Sequence, residues 1–226
     1  HEIVIVTPVY EDLEASGRLF KELAKEFGQR VFVVAVDDGS VRQPLTITSL
    51  EDAGVAGVVL KLRRNVGHQR AIAIGLSYAA EHLAPHQKVV LMDSDGEDLP
   101  STIPELLQPL DQADVDVVVA QRKSRVETLK FKAFYQVYKR FFKVMTGRPI
   151  SFGNFMALKP AAVQRLVAMQ ELPIHVAAAV LASKLRTRVC PLDRGPRYAG
   201  QSKMNFVGLA LHGFKVGFVG SPETLS

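Results

Sequence analysis

The stretch Val-Val-Leu-Met-Asp-Ser-Asp-Gly-Glu-Asp, residues 89–98, decides the fold class of this 226-residue chain. Its first four residues are apolar, which is typical of a short strand buried on both faces of a sheet. Four of the next six residues are carboxylates, so the strand ends abruptly in a cluster of negative charge. Ligands of open α/β sheets bind beyond the carboxyl ends of the strands. This boundary therefore predicts both a parallel sheet and the edge of a site.

Apolar runs of the same kind lie on both sides of this stretch, and helical patterns separate them. The other predicted strands are residues 3–7, 31–36, 58–60 and Val115 with Val117–Val119, and the predicted helices are residues 13–27 and about 69–83. This alternation predicts an α/β fold with a Rossmann-like, mainly parallel central sheet and helices on both faces. Polar clusters fall at the predicted strand ends, at Thr7-Pro8, Asp37-Asp38, Arg63–Asn65 and Asp93–Asp98.

The composition is that of a folded domain with a mild basic excess. Hydrophobic residues make up 47% of the chain and charged residues 23%, which excludes a disordered protein. A net charge of +5 suits an anionic partner such as a nucleotide, a phosphorylated lipid, a membrane surface or a nucleic acid, although an ordinary basic protein has the same balance. Cys190 is the only cysteine, so an internal disulfide is impossible and a reducing compartment is expected. No run reaches the roughly 18 apolar residues of a membrane span.

The acidic cluster at the end of the fourth predicted strand predicts a site for a hard cation. Mg²⁺ and Mn²⁺ prefer oxygen ligands, usually one or two carboxylates together with substrate phosphates. Asp93 and Asp95 are the first candidate ligands, and Glu97 is a third. The alternative is a solvated turn that caps a helix near Ser101.

The second polar cluster, Asp37-Asp38-Gly39-Ser40, follows the second predicted strand. Carboxylates in this place accept hydrogen bonds from a base or from ribose hydroxyls, and Gly39 allows a sharp turn. The alternative is a turn in which an aspartate bonds to nearby backbone amides. The sequence contains no glycine-rich phosphate loop of the dinucleotide-binding or P-loop type, which argues against those nucleotide-binding folds.

Taken in order, the motifs of this chain resemble those of glycosyltransferase family 2, in particular the polyprenyl-phosphate glycosyltransferases of the dolichyl-phosphate mannose synthase type. The matching segments are Thr7–Asp12, Asp37–Ser40, Arg64–Gln69, Asp93–Asp95 with Glu97, and Arg197–Lys203. Two segments depart from the family pattern: Tyr10-Glu11-Asp12 replaces the commoner Tyr-Asn-Glu, and His68-Gln69 replaces a Gly-Lys type of continuation. The chain has no tryptophan and so lacks the Gln-x-x-Arg-Trp motif, which argues against a processive polysaccharide synthase.

The resemblance implies a glycosyltransferase-A fold and an inverting, metal-dependent transfer from a UDP- or GDP-linked sugar. It implies one catalytic domain over residues 1–226, with a nucleotide-binding half (1–120) and an acceptor-side half (121–226). Its expected nucleotide-binding residues are Pro8, Tyr10, Glu11, Asp37, Asp38, Asn65, His68 and Asp93. Its expected acceptor- or phosphate-binding residues are Arg122, Arg197, Ser202 and Lys203, its catalytic residues are Asp95, Arg197 and Lys203, and its ligands for Mg²⁺ or Mn²⁺ are Asp93, Asp95 and Glu97.

The acceptor expected from the sequence is a polyprenyl phosphate. A phosphate is already anionic and needs little help from a general base, and no carboxylate of the second half stands out as one. His175 is a possible base, although a lone histidine in an apolar stretch is more often structural. Residues 128–146 interleave basic and aromatic side chains, which is typical of a helix at a membrane surface or of a helix packed on the core. Residues 206–219 allow the same two interpretations.

These features predict a cytoplasmic enzyme at the inner face of a membrane, either peripheral or held by segments absent from this chain. One rival is a family 2 enzyme that uses a soluble sugar or a protein hydroxyl as acceptor. Another is a non-catalytic nucleotide-binding module, which the paired carboxylates argue against. A sugar nucleotidyltransferase would need a glycine-rich opening loop, and no nucleic-acid-binding module is recognised. The sequence assigns no oligomeric state.

Overall fold

Seven strands form a single sheet in the part of the chain that the computed structural model describes, residues 1–122 and 152–198. The strands are β1 (Ile3–Val9), β2 (Val31–Asp37), β3 (Ala56–Lys61), β4 (Lys88–Leu91), β5 (Val117–Arg122), β6 (Met156–Leu158) and β7 (Thr187–Leu192). Their order across the sheet is β3-β2-β1-β4-β6-β5-β7. Ser202, Lys203 and the segments 128–146 and 206–219 lie outside the described residues.

The sheet is mainly parallel, as the sequence predicts. β1 pairs in parallel with β2 on one side and with β4 on the other, and β2 pairs in parallel with β3. β6 runs antiparallel to both of its neighbours, β4 and β5, while β5 and β7 are parallel. The carboxyl ends of β1, β2 and β4 therefore meet at one edge, and the residues that precede β6 arrive at the same edge.

Helices cover both faces of the sheet. They are α1 (Leu13–Phe27), α2 (Ile47–Glu51), α3 (His68–His82), α4 (Ile103–Leu107), α5 (Pro160–Val167) and α6 (Val176–Ala182), with 3₁₀ turns at Gly28–Arg30, Pro100–Thr102 and Gln108–Asp111. The observed α1 has the predicted bounds, and α3 lies one residue before its predicted position. None of the helices in the described residues combines the length and the apolar character needed to cross a bilayer.

The alternation of side chains along the strands produces two hydrophobic cores. Ile3 and Ile5 of β1 face the core that contains Leu19 and Phe20 of α1. Val4 and Val6 of the same strand face the opposite core, which is formed with α3, α5 and α6. Every residue of β1 is buried, and each fully buried Leu, Ile or Phe contributes about 1.5–3 kcal/mol relative to exposure. This double-sided core holds the ends of β1, β2 and β4 in fixed positions.

Candidate active site

Three of the predicted motifs meet at the carboxyl edge of the sheet. The backbone N–H of Asp38, just after β2, donates to the carbonyl of Val9 at the end of β1 at 2.8 Å. On the other side of β1, the hydroxyl of Ser94 donates to the carbonyl of Pro8 at 3.2 Å. Pro8, one of the predicted nucleotide-binding residues, is buried within β1, and its carbonyl is the acceptor of this bond. The segments after β1, β2 and β4 are thus directly bonded to one another.

Asp37 organises the loop that follows β2. Its side chain is fully buried, and its two carboxylate oxygens accept hydrogen bonds from the backbone N–H of Ser40 and of Leu45, each at 2.9 Å. Both oxygens are therefore used within the chain. This is the backbone-bonding role that the sequence left open as an alternative to contact with a base or ribose.

Asp38 joins the same turn to the start of α3. Its carboxylate accepts hydrogen bonds from the backbone N–H groups of Val66 at 2.7 Å and Gly67 at 3.1 Å. Burial raises the pKa of Asp38, and the two backbone bonds offset part of that increase. Gly39 fits this junction closely: it has φ +72°, and a Cβ on it would lie 2.3 Å from the carbonyl carbon of Arg64. The junction brings Asp37–Ser40 against Arg64–Gly67, as expected for parts of one site, and leaves Asn65 exposed.

Glu11 and Tyr10 border a cavity of about 500 Å³ that is also lined by Arg42 and Gln43. Glu11 has φ +48°, and its carboxylate accepts hydrogen bonds from the backbone N–H groups of Val41, Arg42 and Gln43. These bonds, that of Val41 most of all, lower the pKa of Glu11. Tyr10 is 42% exposed. Glu11 thus shapes the cavity wall, and Tyr10 presents an aromatic surface beside it.

Asp93 lies at the centre of the edge, after β4 and opposite the start of α3. Its Oδ1 atom is 3.2 Å from Nε2 of His68, which in turn hydrogen bonds with the side-chain amide of Asn154 at 3.0 Å. Burial alone would raise the pKa of Asp93, but the nearby imidazole outweighs it and the pKa is lowered. Burial alone would lower the pKa of His68, but attraction to Asp93 outweighs it and the pKa is raised. Each of the two groups therefore favours the charged form of the other.

Two arginines neutralise the remaining carboxylates. Nη1 of Arg194 is 2.8 Å from Glu97 and its Nη2 is 3.2 Å from Asp98, whose side chain is only 1% exposed. Burial, followed by repulsion from Asp93, raises the pKa of Asp98 to about 7. Nη2 of Arg197 is 2.8 Å from Asp95 and 3.5 Å from Glu97. The 3₁₀ turn and helix near Ser101 have no side-chain cap, so the cluster is not a capping turn.

The donor set of the acidic cluster fits a divalent cation only in part. Within residues 1–122 and 152–198, no three His, Cys, Asp or Glu side chains are arranged as a metal cage, so Asp93, Asp95 and Glu97 do not converge as three ligands. However, Oδ1 of Asp93 is buried and, although it lies 3.2 Å from Nε2 of His68, it accepts no well-aligned hydrogen bond in this part of the chain. A buried carboxylate oxygen in this situation suits a hard cation whose other ligands are phosphate oxygens and water.

Several residues of the site were not predicted from the sequence. Arg194 pairs with carboxylates about a hundred positions earlier, and Asn154 reaches His68 from the segment before β6. Tyr198 contacts Glu22 of α1, which no local pattern indicates. Of the predicted residues, Arg122 is described here only through its backbone at the end of β5, where it pairs in register with Leu192.

Comparison with known proteins gives a consistent result. The family model described as Glycosyl transferase family 2 matches residues 4–172. An undecaprenyl-phosphate 4-deoxy-4-formamido-L-arabinose transferase from Edwardsiella ictaluri is 24% identical over 214 residues, which cover 92% of this chain and 64% of that protein. The chain spans less than two thirds of the length of the curated relatives it matches.

Solved structures show the same fold at low identity. Mannosyl-3-phosphoglycerate synthase from Rubrobacter xylanophilus superposes with a TM-score of 0.66 at 15% identity, over 99% of this chain and 74% of that one. Glucosyl-3-phosphoglycerate synthase from Mycobacterium tuberculosis, in complex with Mn²⁺ and UDP-glucose, gives a TM-score of 0.63 at 15% identity, over 94% and 75% of the two chains. These likenesses confirm the predicted glycosyltransferase-A architecture.

Proposed function

This chain belongs to glycosyl transferase family 2, and we propose that it transfers a sugar, with inversion, from a UDP- or GDP-linked donor to a polyprenyl phosphate with the help of Mg²⁺ or Mn²⁺. The observation that carries the proposal is the buried Oδ1 of Asp93, which accepts no hydrogen bond within the described residues. It lies at the carboxyl edge of the sheet, where ligands of α/β proteins bind. A divalent cation that binds together with a nucleotide sugar would supply a positively charged partner for this oxygen.

In this proposal, the nucleoside of the donor binds in the cavity beside Tyr10 and Glu11. The exposed ring of Tyr10 offers a surface on which a base can stack, and the cavity of about 500 Å³ is in the size range of small-ligand sites. Glu11 contributes by fixing the backbone of residues 41–43. Asp37 and Asp38 likewise hold the loops around the nucleoside through their backbone hydrogen bonds.

We propose that the diphosphate lies over Asp93 and Asp95. These two carboxylates would hold the cation, which when bound neutralises charge developing on the leaving diphosphate. His68 orients Asp93 through its 3.2 Å contact, and the side-chain amide of Asn154 holds the same Nε2 atom of the imidazole at 3.0 Å. Arg197, which contacts Asp95 at 2.8 Å, is near enough to add a donor to the phosphate oxygens.

The lipid acceptor is supported by the family relationship. The Edwardsiella relative carries an undecaprenyl-phosphate acceptor in its name and aligns with 92% of this chain. A phosphate acceptor is also consistent with a site in which the described cations, Arg194 and Arg197, lie beside the carboxylates. We assign residues 1–120 to the nucleotide side and residues 121–226 to the acceptor side of one catalytic domain.

A donor screen tests the proposal. Purified protein is incubated with UDP-, GDP- or dTDP-linked sugars, with or without polyprenyl phosphate, in the presence of Mn²⁺, Mg²⁺ or EDTA, and transfer is measured. One nucleotide sugar should react only when a divalent cation and the lipid phosphate are both present. Transfer to a soluble hydroxyl acceptor would overturn the lipid assignment but keep the enzyme class.

The Asp93→Asn variant tests the proposed metal role more directly than the donor screen does. Replacing one oxygen by an amide removes the charge that the cation needs, so transfer should fall at least about 100-fold. Asp52→Asn, an exposed carboxylate just after α2, is the matched control and should leave transfer unchanged. Equal activity of Asp93→Asn and Asp52→Asn would refute the metal role.

A further inference from the structure

We propose that Tyr198 is a positioning residue that holds Arg197 on Asp95 as an internal cation, so that a divalent metal must displace this guanidinium in order to bind. The inference rests on the proposed function, because it concerns the same carboxylates. We call residues Arg194–Tyr198 the clamp segment. Three sets of contacts in the clamp segment carry the argument.

The first set consists of backbone hydrogen bonds. The N–H of Gly195 donates to the carbonyl of Glu97 at 3.0 Å, and the N–H of Tyr198 donates to the carbonyl of Asp95 at 2.8 Å. The clamp segment is thereby fastened along the acidic cluster. These bonds fix the backbone from which the side chains of the clamp segment reach the acidic cluster.

The second set fixes the ring of Tyr198. The ring lies against Gly96 so closely that a Cβ on Gly96 would be 2.4 Å from it. Arg18 of α1 lies over the ring at 4.2 Å, and the Tyr198 hydroxyl donates to the carboxylate of Glu22 on the same helix. Burial, reinforced by the bond to Glu22, raises the pKa of Tyr198, so the hydroxyl stays a donor. Helix α1 thus anchors the clamp segment at the residue next to Arg197.

The third set concerns Arg197 itself. Its Nη2 is 2.8 Å from Oδ2 of Asp95 and 3.5 Å from Glu97, and the Asp95 side chain is only 15% exposed. A guanidinium and a divalent cation cannot share one carboxylate oxygen, because they repel each other and compete for the same lone pairs. Metal binding to the donor-free protein is therefore weakened by the guanidinium.

The diphosphate of the donor reverses this competition. Its oxygens offer Arg197 a second anionic partner, so the guanidinium can leave Asp95 without losing its charge compensation. Metal and nucleotide then bind with positive cooperativity, each favouring the other. This sequence of events places Arg197 beside the phosphates at the moment when the metal reaches the carboxylates.

Titration with Mn²⁺, followed by electron paramagnetic resonance or calorimetry, tests the inference without measuring transfer. In the absence of nucleotide, Arg197→Gln should bind Mn²⁺ about 2- to 5-fold more tightly than the wild type, the range expected when a partly exposed ion pair is removed. Tyr198→Phe, which loses only the bond to Glu22, should shift the affinity in the same direction by a smaller factor. Arg188→Gln, an exposed arginine of β7, makes the same change of net charge and should leave the affinity unchanged.

The second arm adds UDP or GDP. The cooperativity between nucleotide and Mn²⁺ should fall in Arg197→Gln and in Tyr198→Phe, and far-UV circular dichroism should show both variants folded. Unchanged or weaker Mn²⁺ affinity in both folded variants would overturn the inference while leaving the proposed function intact. Failure of the wild type to bind Mn²⁺ even with nucleotide would instead overturn the proposed function, and the inference with it.

Discussion

At the scale of single residues, the carboxylates of this site differ in what their oxygens contact. Glu11, Asp37 and Asp38 direct their oxygens at backbone N–H groups of neighbouring loops. Asp93 retains a buried oxygen that accepts no hydrogen bond in the described residues. Carboxylate-to-amide bonds of this kind are charge-assisted and stronger than neutral ones. The first three acids therefore build the walls of the candidate site, and Asp93 is the carboxylate that we propose to hold the cation.

Gly39→Ala should be costly because the turn after β2 has no room for a side chain. The added Cβ would lie 2.3 Å from the backbone of Arg64, in addition to the strain of φ +72°. We expect the free energy of unfolding to fall by about 3 kcal/mol, and nucleotide affinity to fall with it, because the two turns are pushed apart. Chemical denaturation and calorimetry measure the two effects.

Gly54→Ala is the matched control for this substitution. Gly54 has almost the same φ, +71°, but no atom lies within 4 Å of the position its Cβ would take. The free energy of unfolding of the Gly54→Ala variant should fall by only about 1–2 kcal/mol, the cost of the left-handed backbone conformation, and its nucleotide affinity should not change. Equal losses of stability in the two variants would show that the close packing around Gly39 adds nothing to the cost of the substitution.

At the scale of helices and strands, the sequence predicts the first half of the fold well. The apolar runs that became β1, β2 and β4 are recognised because strands buried on both faces need no polar alternation. The apolar run of β3 is recognised as well, although that strand is only partly buried. Two strands were not predicted. β6 has only three residues, and β7 is largely exposed, so neither carries the apolar run on which strand recognition depends. The acidic cluster itself was recognised in the sequence because it directly follows the apolar run that forms β4.

The partners of that cluster could not be predicted in the same way. Asn154 and Arg194 reach the site from segments far away in the chain, and their positions depend on how β6 and β7 join the sheet. A sequence pattern reports local periodicity and says nothing of such long-range pairing. The role of Arg197 was expected to be phosphate binding, which remains a prediction, while its contact with Asp95 came only from the structure.

The edge strand β7 depends on an ion pair at its start. The carboxylate of Asp116, just before β5, accepts two hydrogen bonds from the Arg186 guanidinium, at 2.8 and 2.6 Å, and one from its backbone N–H at 3.0 Å. These bonds lower the pKa of Asp116 to about 2. Because the folded pKa lies below the ordinary value, the stabilisation is present above about pH 4 and is lost as the pH falls toward 2.

Asp116→Asn should therefore destabilise the protein in a pH-dependent way. At pH 7 the free energy of unfolding should fall by up to about 1 kcal/mol, the range of solvent-screened ion pairs. The difference from wild type should shrink as the pH drops from about 4 toward 2, as measured by urea denaturation at several pH values. Asp52→Asn should show no such trend, and a difference independent of pH would contradict the ion-pair explanation.

At the scale of the whole molecule, the site joins segments from across the sheet. The turns after β1, β2 and β4 are bonded to one another, and the clamp segment links the turn after β4 to α1. A ligand that contacts several of these segments stabilises the folded state as a whole by mass action. The loops are therefore expected to respond to ligand together rather than one at a time.

Nucleotide and metal should raise the melting temperature only in combination. A ligand present at about 100 times its dissociation constant stabilises the folded state by about 2.7 kcal/mol. For a domain of this size, this raises the melting temperature by about 5–10 °C. Differential scanning calorimetry with UDP or GDP, with Mn²⁺, and with both should show this full shift only for the pair. Asp93→Asn should abolish the combined effect, and a full shift with nucleotide alone would argue against a shared metal.

The reversed direction of β6 has a consequence for how this fold can diversify. β5 ends, and β6 begins, at the same edge of the sheet, since β6 is antiparallel to β5. The chain that joins them leaves and returns beside the candidate site, whatever its length. A change of sequence or length in this connection alters the chain beside the candidate site without adding or removing a residue of any strand. Differences in substrate preference within this fold are therefore expected to concentrate in the connection between β5 and β6.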